Sequence, residues 1–396
     1  MKALTVVPLK AGSALVEDVD EPAPEEGEVL VETIAVGVCG TDAEIVAGDY
    51  GWAPPGKERL VLGHESLGRV LESPEGCAVA PGDHVVCIVR RPDPVPCYAC
   101  AAGQWDFCRN GRYTEHGIKS LDGFMRERYR TPADALVRID NDLGLCGVLL
   151  EPTTIVAKAW EEIEDIGHRA VWKPETVLVT GAGPVGLLAS LLGKQRGLEV
   201  HVLDHLEGGA KPRLVEELGA TYHTGPIAGA VQSPDVIIEG TGVPELVIDS
   251  IRAVGPGGVV ALLGVGAAGA TIPVDVGALN RDAVLANKSL VGSVNANRSH
   301  YQKAVIALHA ADDAWLSQLI TKRLPLAHFA DALQHGPDDV KTVMELSPVD
   351  SAPPTRARSK RTSTAATGRA VPAAAAAADP APAPAPASSG GGGRAS

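Results

Sequence analysis

Hydrophobic and polar positions change rhythm twice along this chain. Up to about residue 150, apolar residues come in short runs closed by glycine, proline and aspartate, such as Gly27-Glu-Val-Leu-Val-Glu-Thr-Ile-Ala-Val36 and His84-Val-Val-Cys-Ile-Val89. Few windows there carry a helical period, so this part predicts a β-rich domain of the barrel kind. A helical stretch follows Glu151 and runs through Trp160-Glu-Glu-Ile163. From 177 to about 288, β-branched runs alternate with helically spaced ones. Strands are expected at 177–180, 200–204, 236–239, 259–263 and 289–294, and helices from near Pro184, Lys211 and Pro244. Such alternation folds as a parallel, doubly wound sheet of the α/β class. The segment from about 295 to 345 reads as helix and loop and is expected to rejoin the first domain. The expected organisation is one domain from 1–152 with 290–346, a second from 153–289, and a tail from 347–396.

The junction of strand and helix near residue 180 carries a specific pattern. Thr176-Val-Leu-Val-Thr-Gly-Ala-Gly-Pro-Val-Gly186 is an apolar run leading into G-x-G-x-x-G, and helical spacing continues from Pro184. A second apolar run ends in Asp204, eighteen residues after the last glycine. Together these make the full context of a dinucleotide site. Gly181 permits the tight turn, Gly183 lets the backbone approach a pyrophosphate, and Gly186 lets helix and strand pack closely. Pro184 and Val185 open the helix whose N-terminus would face the phosphates. Asp204 is placed to accept from a ribose 2′-hydroxyl and to repel a 2′-phosphate, so NAD is the expected cofactor. Lys211 and Arg213 lie a little downstream and leave NADP allowed.

Composition narrows the class. Aromatic residues are only 4% of the 396, so the core must be built from aliphatic side chains. No secretory leader is expected from the first residues, nor any bilayer span, and a cytoplasmic location is expected. A formal charge of −14 argues against nucleic-acid binding by the folded body. From Ser351 the chain turns to Ala, Pro, Gly and base, with six basic residues against one acid, Asp379, and is expected to be disordered. Seven cysteines in such a protein point to metal or catalysis before disulfides.

Three segments carry metal-type side chains: Val36-Gly-Val-Cys-Gly-Thr-Asp42, Leu62-Gly-His-Glu-Ser-Leu-Gly68 and Leu149-Leu-Glu-Pro152. Thiolate, imidazole and carboxylate can hold a zinc and leave one position open. These phrases, with Pro81-Gly-Asp-His-Val-Val86 and the glycine pattern, resemble the zinc-dependent medium-chain dehydrogenase/reductase superfamily over nearly everything from Met1 to about Glu345. The resemblance implies a β-rich GroES-like catalytic domain beside a Rossmann cofactor domain. Arg90-Arg-Pro-Asp-Pro-Val-Pro-Cys97, Trp105-Asp-Phe-Cys-Arg-Asn-Gly111, Tyr113-Thr-Glu-His-Gly-Ile118 and Leu290-Val-Gly-Ser-Val-Asn295 are similar to its glucose 1-dehydrogenase branch. That branch implies a catalytic zinc on Cys39, His64 and Glu151, which Glu65 can join. It also implies proton relay through Thr41 and sugar contacts from Glu115, Glu151 and Asn295, with Asn295 bordering the cofactor as well. The superfamily's second, structural zinc takes four cysteines, whereas this chain has Cys97-x2-Cys100-x7-Cys108 and a proline, Pro94, in the first position. Asp93 could complete that site, or the lobe could be metal-free.

The resemblance therefore implies oxidation of an aldose at C1, D-glucose first, to the aldono-lactone with hydride transfer to NAD(P). A polyol or secondary alcohol is the alternative substrate, and a cofactor-binding sensor without catalysis is the remote one. A homo-oligomer, dimer or tetramer, is implied as well.

Overall fold

The computed structural model describes residues 1–266, 271–334 and 336–350, so the tail from Ser351, with its expected disorder, lies outside the described residues. Six parallel strands form one sheet in the order Thr221–His223, Glu199–Leu203, Thr176–Thr180, Val236–Glu239, Val259–Leu262, Ser289–Gly292. Sequence order reverses between the second and fourth of these, which is the doubly wound arrangement with a crevice at the strands' carboxyl ends. The four inner strands are buried, as expected for Val/Ile/Leu runs covered on both faces. Strand Thr221–His223 was not expected, because three residues of Thr, Tyr and His carry no apolar run.

The β-rich part centres on a seven-stranded sheet whose long strand, Glu28–Gly37, is paired by Glu65–Glu72, Arg128–Pro132 and Lys341–Glu345. The last of these comes from the far end of the described chain. Residues expected there as helix and loop contain two strands, Ile320–Pro325 and Lys341–Glu345, after the helices Arg298–His309 and Asp313–Gln318. Neither carries a clear apolar run in sequence: Ile-Thr-Lys-Arg-Leu-Pro is broken by two bases, and the other begins on a lysine.

The 18-residue helix Leu150–Gly167 packs against both Arg298–His309 and Pro184–Gln195. A single apolar cluster runs from Ile34 and Leu67 through Trp160 to Val177 and Val202, so both sheets share one core. Trp160 is 1% exposed and donates its indole N–H to the Ala189 carbonyl at 3.2 Å, tying the helix to the cofactor-type unit. The segment Asn141–Gly167 is long and apolar enough to cross a membrane by composition, but 83% of its apolar window is buried inside the protein.

Candidate functional site

Strand Glu28–Gly37 ends where helix Gly40–Ala47 begins, and Cys39 is the cap between them. The Cys39 N–H donates to Asp42 Oδ2 at 2.9 Å, which closes the turn and sets the sulfur at the positive end of the helix. Thr41 is half-buried in the first helical turn beside it. His64 immediately precedes strand Glu65–Glu72, whose register sets Glu65 opposite Gly37. Gly37 in turn faces Val343 on its other side. A Cβ on Gly37 would stand 1.9 Å from Glu65 Oε2, so only glycine lets the carboxylate lie across the middle strand. It reaches Lys341 there, with Nζ 2.7 and 2.5 Å from its two oxygens, and Nζ also donates to the Val38 carbonyl at 3.1 Å.

Ligand atoms of Cys39, His64 and Glu65 lie within 4.8 Å of one another. Asp42 faces His64 Nδ1 at 3.5 Å, placed as a carboxylate that orients a ligating imidazole. Burial opposes charge on His64, but Asp42 and Cys39 outweigh it and hold the ring well above the usual histidine range. His64 Nδ1 and Asp42 Oδ1 are both buried without a hydrogen bond. Thiol, imidazole and carboxylate ligand atoms converging within 4.8 Å, with Asp42 behind the ring, fit a zinc ion. Glu151, expected as the third ligand, lies outside that trio. It sits in the first turn of Leu150–Gly167, close enough to feel His64, Glu65, Lys341 and Asp42, and burial lifts its carboxyl to about 7.

Glu115 lies in the short strand Thr114–His116, 5% exposed, and is not the surface acid its sequence context alone would give. Asn295 Nδ2 donates to Glu115 Oε1 at 2.7 Å and Arg90 Nε donates to the same oxygen at 3.0 Å. The Arg90 guanidinium stacks 3.7 Å above the Tyr113 ring. One oxygen is thus held by donors from two residues. Arg90, Asp42 and Lys341 are additions to the expected set. Arg90 and Asp42 lay inside the quoted motifs, but nothing near Lys341 marked it.

At the glycine-rich turn, Gly181 has a φ of 89°, and its N–H donates to the Leu203 carbonyl at 2.7 Å. A Cβ on Gly186 would meet the Gly181 carbonyl oxygen at 1.8 Å, so helix and turn are in direct backbone contact. Gly183 caps helix Pro184–Gln195 with open space where its side chain would be. Asp204 accepts from Ala182 N–H at 2.7 Å and from His205 N–H at 2.7 Å, which fixes its carboxylate at the crevice. Lys211 Nζ stands 3.8 Å from it. Arg213 does not join them, because it pairs with Glu217 at 3.0 Å and with Gln318. The turn fits a dinucleotide through its N–H groups and open cap.

Cys97, Cys100 and Cys108 also lie within 4.8 Å of one another. The Arg109 and Cys100 N–H groups point at Cys97 and pull its thiol down to about 6. Asp93 does not complete this trio. Its carboxylate accepts from Val95 N–H at 2.8 Å, Asn110 Nδ2 at 2.9 Å and Arg112 Nε at 3.2 Å, and these three donors hold it apart.

Comparison with known proteins gives a consistent pattern. Residues 25–141 match the family described as Alcohol dehydrogenase GroES-like domain, and 144–346 match Glucose dehydrogenase C-terminus. Glucose 1-dehydrogenase 1 of Caldivirga maquilingensis is 41% identical over 356 residues, 88% of this chain and 100% of that one. Glucose 1-dehydrogenase of Thermoproteus tenax is 40% identical over 352 residues, 87% of this chain and 99% of the relative. Among solved structures, Haloferax mediterranei glucose dehydrogenase in complex with NADP, Zn and gluconolactone superposes with a TM-score of 0.81 at 36% identity, covering 88% of this chain and 99% of that one.

Proposed function

The chain belongs to the glucose dehydrogenase branch of the zinc-dependent medium-chain dehydrogenases, and from that premise we propose that it oxidises an aldose, D-glucose first, at C1. The C1 hydride passes to NAD(P), the hydroxyl proton to solvent, and the product is the aldono-lactone. The observation that carries the choice of a sugar is the partly buried Asn295–Glu115 hydrogen bond of 2.7 Å, a donor and an acceptor held together in a chain that also brings three metal-type ligands together.

Cys39, His64 and Glu65 would hold the zinc, with Glu151 available as a further ligand or as a partner of the substrate hydroxyl. Zinc bound there would polarise that hydroxyl and lower its pKa. Thr41 takes the proton outward. Lys341 Nζ bonds both oxygens of Glu65 and so sets where that carboxylate lies beside Cys39 and His64. Glu115 and Asn295 read the sugar's hydroxyls. Gly181, Gly183, Pro184, Val185 and Gly186 would seat the pyrophosphate and Asp204 the ribose, with NAD preferred over NADP. The domains divide at about 152 and 290, the protein works in the cytoplasm, and the second copy in a homodimer docks on the edge strand Ser289–Gly292.

The deciding experiment is formation of NADH and NADPH with a panel of aldoses, polyols and alcohols, before and after chelation. Glucose turnover lost with the metal and restored by zinc supports the reading. Turnover of alcohols or polyols alone removes the sugar assignment from Glu115 and Asn295.

A further inference from the structure

Asp106 lies in the short turn Trp105–Phe107, between Cys100 and Cys108, so the cysteine lobe fixes its backbone. Its side chain is fully buried. Oδ1 accepts from Asn297 Nδ2 at 3.0 Å, and Oδ2 stands 3.0 Å from Lys158 Nζ. Lys158 projects from the central helix Leu150–Gly167, is itself 2% exposed, and donates to the Val294 carbonyl at 3.0 Å. The Asp106 carbonyl accepts from Arg90 Nη1 at 3.1 Å, and Arg90 is the residue that holds Glu115.

Asn295 sits between the two anchors, one at the Val294 carbonyl and the other at the Asn297 amide. Its φ is 64°, the left-handed region that asparagine enters more readily than most residues, and its own Oδ1 accepts from Ala296 N–H at 2.8 Å, which leaves Nδ2 for Glu115. A buried lysine–aspartate pair adds little stability over apolar groups of equal volume, so the pair calls for another reason. Here it spans three separate elements and converges on both partners of the Asn295–Glu115 hydrogen bond. We propose that Asp106 and Lys158 are positioning residues for the aldose site. They hold the 294–297 turn so that the Asn295 amide stays on Glu115, and they make the cysteine lobe the template for sugar selection. The proposal rests on the reading of Glu115 and Asn295 as sugar contacts. Neither Asp106 nor Lys158 touches the substrate.

The test is a kinetic cycle on the zinc-loaded, full-length enzyme with Lys158→Met, Asn295→Ala and the two combined. Lys158→Met is expected to raise KM for glucose about tenfold while kcat stays within about threefold, the signature of lost ground-state and transition-state binding together. Added to Asn295→Ala it should change KM little further, because both act through one amide. Should Lys158→Met fold poorly, Asp106→Asn/Lys158→Met leaves no buried charge unpaired and is expected to show the same KM rise. A lowered Tm with unchanged KM, or KM effects that multiply in the combined variant, overturns the positioning role and leaves the sugar contacts standing. An unchanged glucose KM in Asn295→Ala overturns the sugar contact and the proposal with it.

Discussion

Asp204 ties down the glycine turn through Ala182 N–H, and in the proposed cofactor site the same carboxylate would meet the ribose 2′ substituent. Asp204→Ser removes the repulsion and frees Lys211, 3.8 Å away, for a phosphate. The ratio of kcat/KM for NADP to that for NAD should rise about tenfold, equivalent to about 1.4 kcal/mol. Unchanged selectivity in steady-state assays would refute the NAD preference. His116 shows the other use of a buried polar group. Its Nδ1–H donates to the Asp122 carbonyl at 2.7 Å and Nε2 accepts from Arg91 at 3.1 Å, which fixes one neutral tautomer. Burial first, then Arg91, hold the ring well below the ordinary value of 6.5. Only the unfolded chain takes up that proton, so stability is complete above about pH 6.5 and falls as pH drops, by up to about 1.4 kcal/mol per pH unit. Replacing the ring, as in His116→Gln, should flatten the fall in denaturant midpoint between pH 7 and 5.5, and an unaltered slope would count against a neutral buried His116.

At the scale of elements, the glycine turn and the helix it feeds behave as one rigid part. Gly186 is the contact point, with no room for even a methyl group against the Gly181 carbonyl. Gly186→Ala must push helix Pro184–Gln195 off the strand, at a cost of about 1–3 kcal/mol. Thermal melts should show the lower Tm, and cofactor KM should rise because Gly183 moves with the helix. A variant with native Tm and native cofactor KM would mean that the turn absorbs the methyl. The central helix Leu150–Gly167 is a second such part, since Glu151 faces the metal-type trio from one end while Lys158 anchors the 294–297 turn from its middle.

At the scale of the whole molecule, one edge is unlike the rest. Ser289–Gly292 closes the parallel sheet with its outer side unpaired among the described residues, and Leu290 is 52% exposed. Beside it, helix Val276–Leu285 has no buried residue, with Val284 and Leu285 open to solvent. Monomeric proteins seldom leave an apolar sheet edge uncovered, which supports the proposed docking of a second copy there. Leu285→Asp/Leu290→Asp should halve the mass seen by light scattering. A wild-type protein that is already monomeric would dispose of this interface.

Much of this protein follows from local pattern alone. The five apolar strands of the parallel sheet and the glycine turn could be read because each depends on neighbours within a few residues, whereas Cys39 and His64 stood out only through the resemblance of their segments to a known family. Tertiary structure decided the rest, where the chemistry depends on what arrives from far away. Lys341 looks like a surface lysine until strand pairing across Gly37 buries it against Glu65, and Glu115 looks like a surface acid until Arg90 and Asn295 reach it. Asp93 and Arg213 were drawn to other partners by the same kind of contact. A charged side chain carries no record in sequence of its distant partner, and that partner alone settles whether it is solvated, structural or part of a site.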